Sequence, residues 1–190
     1  MKKYSKKPDK RKMKTVKIKD RIFTELFSEQ ELSEIVSKSV NEIKKTVTDE
    51  ENLVLVGVLN GGVPFLNEIA FSLSEKITID YVKAVSYGDK TFSSGRVELL
   101  LDSRLEMKGK DVIIVDDIID TGRTTEFLKD HFVSKGAKSV RTACLFYKKG
   151  VLKEDPDFFG SYVGDEFIIG FGLDYAQRGR NIKSILKLSD

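Results

Sequence analysis

A chain of 190 residues, 40% hydrophobic and 33% charged, is long enough for one domain with a substantial core and ordinary in composition for a soluble globular protein. It has no apolar run near the roughly 20 residues of a membrane span, and no apolar segment follows its basic N-terminus, so a secretory signal is not expected. The single cysteine, Cys144, excludes an internal disulfide and agrees with a reducing, cytoplasmic setting.

The net charge of +3 conceals a division: residues 1–19 hold ten Lys/Arg and one acid, about +9, which leaves −6 on the body. Such an arm either touches an anionic partner such as nucleic acid or stays a solvated, flexible tail. The body lacks the basic, aromatic-rich stripe of a dedicated nucleic-acid binder, which argues against that partner. Residues 20–190 read as a single domain without linker or internal repeat.

Glu29 to Val47 places Leu32, Ile35, Val36, Val40, Ile43 and Val47 at spacings of three and four, which predicts an amphipathic helix. Ser28 and Glu31 have the spacing of a capping box at its start. Leu53 to Leu59 is a continuous apolar run, the pattern of a strand covered on both faces. It leads into Asn60-Gly61-Gly62 and a helix over Phe65 to Leu73. Ile77 to Val85 predicts a second strand, Val112 to Val115 a third followed by a helix to Gly136, and Val140 to Tyr147 a fourth. Alternating strands and helices imply an α/β fold with a central parallel sheet and right-handed crossovers. Ligands bind beyond the carboxyl ends of such strands, which selects the loops at Asn60-Gly61-Gly62, Ser86 to Val97 and Asp116 to Thr125. From about residue 151 to 190 the pattern turns to short strands and turns, expected to form most of a small C-terminal/N-terminal hood over that edge.

The densest chemical signal is Val112 to Thr125. Four apolar residues end in Asp116 and Asp117, a third acid follows at Asp120, and Thr121-Gly122-Arg123-Thr124-Thr125 enters a helix. Free N–H groups at a helix start, aided by the dipole, bind anions. Gly122 permits close approach, and the threonine hydroxyls add donors. Asp116 and Asp117 suit the hydroxyls of a ribose or Mg²⁺. Elsewhere the local chemistry is plainer. Phe167 reads as core, Lys148 and Lys149 as a solvated pair, and Asn60-Gly61-Gly62 as either an anion-binding or a simple tight turn. Ser86-Tyr87 alone is uninformative. Cys144 reads as buried core, and His131 has no partner that would make it a ligand or catalyst.

The segment Ile113 to Thr125 resembles the phosphoribosyl-pyrophosphate motif of type I phosphoribosyltransferases, most closely the hypoxanthine-guanine branch. Leu59-Asn60-Gly61-Gly62 is similar to that branch's pyrophosphate loop, Val85-Ser86-Tyr87 to its mobile catalytic loop, and Asp165 to Tyr175 to its hood. Lys148 and Arg180 fall at its base-binding lysine and pyrophosphate arginine. The resemblance spans roughly residues 18–188 and implies a purine-salvage transferase using Mg²⁺, 5-phosphoribosyl 1-diphosphate and a 6-oxopurine, forming a dimer or tetramer in the cytoplasm. It implies that Asp120 to Thr124, with Thr125 adjacent, cradle the 5′-phosphate, while Asp116 and Asp117 hold ribose hydroxyls and magnesium. Asp120 would also receive the proton released as N9 attacks. Asn60, Gly61 and Arg180 would contact pyrophosphate and Asp174 its metal. Lys148, Phe167 and Ile168 would line the purine, and Ser86 and Tyr87 would close the site. Asn60 stands where many members have Lys, Asp116 where Glu is common, and Gly179 where an aromatic is frequent. Xanthine as main substrate, or a regulator binding RNA through the arm, are the competing expectations.

Overall fold

The computed structural model describes residues 14–86, 97–151 and 155–189. In chain order the first elements are β1 (Thr15–Ile18), β2 (Arg21–Phe27), α1 (Glu29–Thr46), β3 (Leu53–Val58), α2 (Val63–Ala70), β4 (Thr78–Ser86) and β5 (Val97–Leu101). There follow β6 (Asp111–Ile119), α3 (Arg123–Ser134), β7 (Ser139–Lys148), β8 (Phe158–Val163), β9 (Ile168–Ile169) and β10 (Ile185–Ser189). The central sheet has six strands in the order β5-β4-β3-β6-β7-β8. Five of them are parallel, as expected. The departure is β5, which pairs antiparallel with β4, Ser86 lying opposite Val97.

Strand alternation explains why the β3 and β6 runs are apolar throughout. Leu53, Leu55, Ile113 and Val115 face α1 and α2, meeting Leu32, Val36, Ile43, Phe65 and Leu66. Val54, Val56, Val112 and Ile114 face the other way, onto Leu128 and Phe132 of α3. The capping box of α1 is present: Glu31 N–H donates to Ser28 Oγ, and Ser28 N–H to Glu31 Oε2. Helix α2 ends at Ala70, short of the expected Leu73, where the Ser72 hydroxyl takes the Ile69 carbonyl at 2.7 Å.

Two expectations are corrected. Strand β6 does not stop at Val115; it continues through both acids, pairing Asp116 with Cys144 and Ile118 with Phe146, because β7 offers an equally long partner. The hood is drawn from both termini, as expected, in a four-stranded antiparallel sheet β1-β2-β10-β9, but β8, counted with it, joins the central sheet instead. Thr15–Ile18, counted with the basic arm, is therefore a paired strand; residues 1–13 lie outside the described residues. Phe27 of the hood stacks on Phe146 of β7 at 5.7 Å, and Ile168 and Ile185 enter the main core, so hood and sheet share one interior. Cys144 and its neighbours are buried, as read.

Candidate active site

The carboxyl ends of β3, β6 and β7 converge beneath the hood. In the turn after β3, Asn60 is exposed and Gly61 and Gly62 are buried; the Leu59–Asn60 peptide is cis. A Cβ at Gly61 would overlap the Asp117 carboxylate, and one at Gly62 would lie 2.6 Å from the Val115 carbonyl oxygen. The missing side chains are thus what allow this turn to lie directly on the end of β6. Gly172 of the hood (φ +105) also approaches this turn, so close that a Cβ there would overlap the Gly61 carbonyl.

At the end of β6 the carboxyls of Asp116 and Asp117 sit side by side. Asp117 N–H donates to Asp116 Oδ1 and Ile118 N–H to Asp117 Oδ1, each at 2.9 Å. Burial, and then the charge of Asp117, push the Asp116 carboxyl well above its ordinary value. Burial also raises Asp117, opposed by its hydrogen bond to Asp116, by backbone donors and by the more distant positive charge of Arg180. Among the described residues neither forms an ion pair.

This pair makes stability fall with rising pH. Between the unfolded carboxyl value of 3.8 and the raised folded values, the native site holds protons that the unfolded chain releases. The cost of the ionised pair is absent below that window and complete above it. Asp117→Asn is therefore expected to raise the unfolding midpoint near pH 8 by several degrees, and by much less near about pH 4. Thermal scans at both values check this; an equal shift at the two would refute the charge origin.

Beyond the pair, Ile119 is buried and the chain turns at Asp120 and Thr121, both exposed. Gly122, left-handed at φ +74, caps α3 without a side-chain hydrogen bond, and the first helical bond runs from Glu126 N–H to the Gly122 carbonyl. The N–H groups of Arg123, Thr124 and Thr125 therefore face out of the helix end as anion donors. Thr125 is itself buried, so its contribution is through its backbone. Asp120 Oδ1 lies 2.6 Å from Lys148 Nζ at the end of β7. The two lysines read as a solvated pair part company, since Lys149 Nζ sits 5.6 Å over the Tyr162 ring.

In the hood, Phe167 is 47% exposed and so is not core. Its ring lies 6.0 Å from Tyr175, edge-on, and 6.5 Å from Phe23. The buried neighbour, Ile168, packs in the main core. Arg180 is anchored on Asp174 at 2.6 Å and on the Gly172 carbonyl at 2.7 Å. Asp174 is thereby committed to Arg180 and is not clustered with Asp116 and Asp117; among the described residues no group of three His, Cys, Asp or Glu is placed to hold a metal. Ser86 ends β4 at its junction with β5, and Tyr87 lies outside the described residues. Two aromatics that sequence reasoning gave no role, Phe23 and Tyr175, form the wall behind Phe167. The only signal for Tyr175 was its place beside Asp174.

A sheet covered on both faces, with a desolvated acidic pair, a helix-end anion cradle and a glycine-tight turn at one edge, defines an α/β enzyme for a sugar-phosphate ligand. The chain belongs to the phosphoribosyl transferase domain family, whose model matches residues 23–176, and it is an enzyme that transfers phosphoribosyl groups. It is 39% identical over 159 residues to a hypoxanthine-guanine phosphoribosyltransferase of Streptococcus pyogenes and 42% identical over 159 to that of Streptococcus mutans; each match covers 83% of this chain and 88% of the relative. A crystal structure of the Bacillus anthracis hypoxanthine-guanine phosphoribosyltransferase superposes with a TM-score of 0.79 at 36% identity, covering 91% of this chain and all of that one. A Staphylococcus aureus hypoxanthine phosphoribosyltransferase gives 0.79 at 28% identity over 87% of this chain and 90% of the other. No helix among the described residues is long and apolar enough to cross a membrane.

Proposed function

We propose that this enzyme transfers the 5-phosphoribosyl group from 5-phosphoribosyl 1-diphosphate to N9 of hypoxanthine or guanine, forming the nucleoside 5′-monophosphate and pyrophosphate. The observation that carries the purine assignment is the Lys148–Asp120 pair, 2.6 Å apart at the carboxyl ends of β6 and β7, together with an exposed Phe167 ring in the hood. A 6-oxopurine presents O6, an acceptor, beside N7–H, a donor, along one edge. Lys148 supplies a donor and Asp120 an acceptor at matching positions, so the base takes up the two partners of the resting ion pair. Adenine carries an amino group at position 6 and would set donor against donor. Phe167 offers a flat apolar face to the ring.

In the reaction N9 bonds to C1′, the bond from C1′ to the pyrophosphate oxygen breaks, and the proton at N7 passes to Asp120. The N–H groups opening α3 hold the 5′-phosphate, Asp116 and Asp117 accept from the ribose hydroxyls, and the Asn60-Gly61 backbone with Arg180 receives pyrophosphate. Ser86 and Tyr87, the latter outside the described residues, are assigned the exclusion of water from the reacting centre.

Asp116 and Asp117 fit magnesium as a donor set: two adjacent desolvated carboxylates without an ion-pair partner among the described residues. Mg²⁺ uses one or two carboxylates and completes its shell with water and phosphate oxygens. Bound with the diphosphate substrate, it would supply charge neutralisation of the leaving group. Asp174, held by Arg180, would act toward that metal only after exchanging its partner. Self-association into a dimer or tetramer and a cytoplasmic location go with this function; the exposed Phe71, Leu100 and Leu101 supply apolar surface for the former, and the unpaired, buried Cys144 suits the latter.

Incubation with magnesium, 5-phosphoribosyl 1-diphosphate and each of hypoxanthine, guanine, xanthine and adenine tests the proposal. Nucleotide is expected from hypoxanthine and guanine and not from adenine. Xanthine as the dominant substrate, or adenine turnover, would overturn the base assignment.

A further inference from the structure

The segment joining Asp174 to Arg180 is a two-residue hairpin. Tyr175 N–H donates to the Arg178 carbonyl at 2.9 Å, and Arg178 N–H returns to Tyr175 at 3.0 Å. The two central residues, Ala176 (φ 49) and Gln177 (φ 65), are both left-handed. Such turns are built from Asn-Gly or Gly-Gly pairs, because a Cβ clashes with the following carbonyl in this conformation. Neither residue here belongs to that set. The turn is held from outside as well, by the Tyr175 hydroxyl on Asp20 Oδ1 at 3.0 Å. Backbone kept against its preference by redundant bonds marks a place where a side chain must be delivered.

What the turn delivers is Gln177. Its N–H donates to Asp174 Oδ2 at 2.7 Å, and its Oε1 accepts from Arg180 Nη2 at 3.3 Å, the same nitrogen that lies 2.6 Å from Asp174 Oδ1. With the Gly172 carbonyl on Nη1, the guanidinium is fixed at both ends. The amide oxygen carries no net charge, so it orients the arginine without cancelling the charge an anionic leaving group needs.

We propose that Gln177 is a positioning residue for Arg180, and that the left-handed turn at Ala176 and Gln177 is maintained to place its amide there. The inference rests on Arg180 contacting pyrophosphate. Its test is the reverse reaction, nucleotide plus pyrophosphate, measured with thermal unfolding for four variants. Gln177→Ala raises KM for pyrophosphate about five- to tenfold, the scale of one ordinary hydrogen bond, with kcat within about twofold. Gln177→Gly shows the same KM defect but a midpoint higher by about 2–4 °C, because it relieves the strained backbone. Ala176→Gly gains stability with KM unchanged. A wild-type KM in Gln177→Ala overturns the inference. Arg180→Ala separates the two levels. If its pyrophosphate KM is normal, the role of Arg180 fails and the inference with it; if that KM rises while Gln177→Ala stays normal, only the positioning role fails.

Discussion

Asp120→Asn is expected to lower kcat by about two to four orders of magnitude while leaving the fold intact. The reason is chemical and not structural. Asp120 is 58% exposed, and its partner is a lysine at the mouth of the site, so the ion pair contributes little to stability. Asparagine keeps the shape and one oxygen acceptor but cannot take the proton that leaves N7 as the glycosidic bond forms. The purine KM should therefore change less than kcat, since Lys148 still meets O6 and Phe167 still faces the ring. Alanine at the same position should cost turnover similarly and also weaken base binding. Steady-state kinetics with an unfolding scan decide it: near-normal turnover in Asp120→Asn would remove the general-base assignment and leave Asp120 as a partner for Lys148 only.

The contrast between Asp120 and the acids before it shows which parts of this site were legible in the sequence. The run from Val112 to Thr125 marked the location, because a strand, an acidic pair and a glycine-started helix are all local patterns. The doubly covered strands were equally readable, since every residue of β3 is buried. What the sequence did not disclose depends on partners far away in the chain. β2 needs β10 to form the hood, joined by the Ser189 hydroxyl donating to Thr24, and no local periodicity records that pairing. The extension of β6 through Asp116 to Ile119 is imposed by β7, against an acidic pattern that reads as a loop. Phe167 and Ile168 are adjacent and both apolar, yet one is half-exposed and the other lies in the core; only the β9 pairing with β10 settles which. The left-handed Ala176 and Gln177 break turn preferences, so no sequence rule finds them.

Gly61→Ala is the second change expected to be severe, and it acts through packing of three backbone segments. The turn after β3, the end of β6 and the hood hairpin meet at Gly61 with no side chain between them. A Cβ at that position overlaps the Asp117 carboxylate. The turn has little room to shift, because the Gly172 backbone already lies against the Gly61 carbonyl. The strain must instead displace the acidic pair or lift the hood, and either one disrupts the surfaces assigned to ribose, pyrophosphate and base together. Overpacking of this kind costs about 1–3 kcal/mol, and a shift near 1 Å among groups that position a reaction is enough for about 100-fold in rate. A fall in kcat/KM of at least that size is expected, with weaker binding of 5-phosphoribosyl 1-diphosphate by calorimetry. Gly109→Ala is the control for a destabilising alanine away from the site, since its φ of +75 strains the added residue, a penalty Gly61 does not carry, while no atom lies within 4 Å of the added carbon. It should lose a similar amount of stability and keep its activity. Substrate affinity in Gly61→Ala equal to that of the control would mean that the turn, the acids and the hood do not act as one clamp.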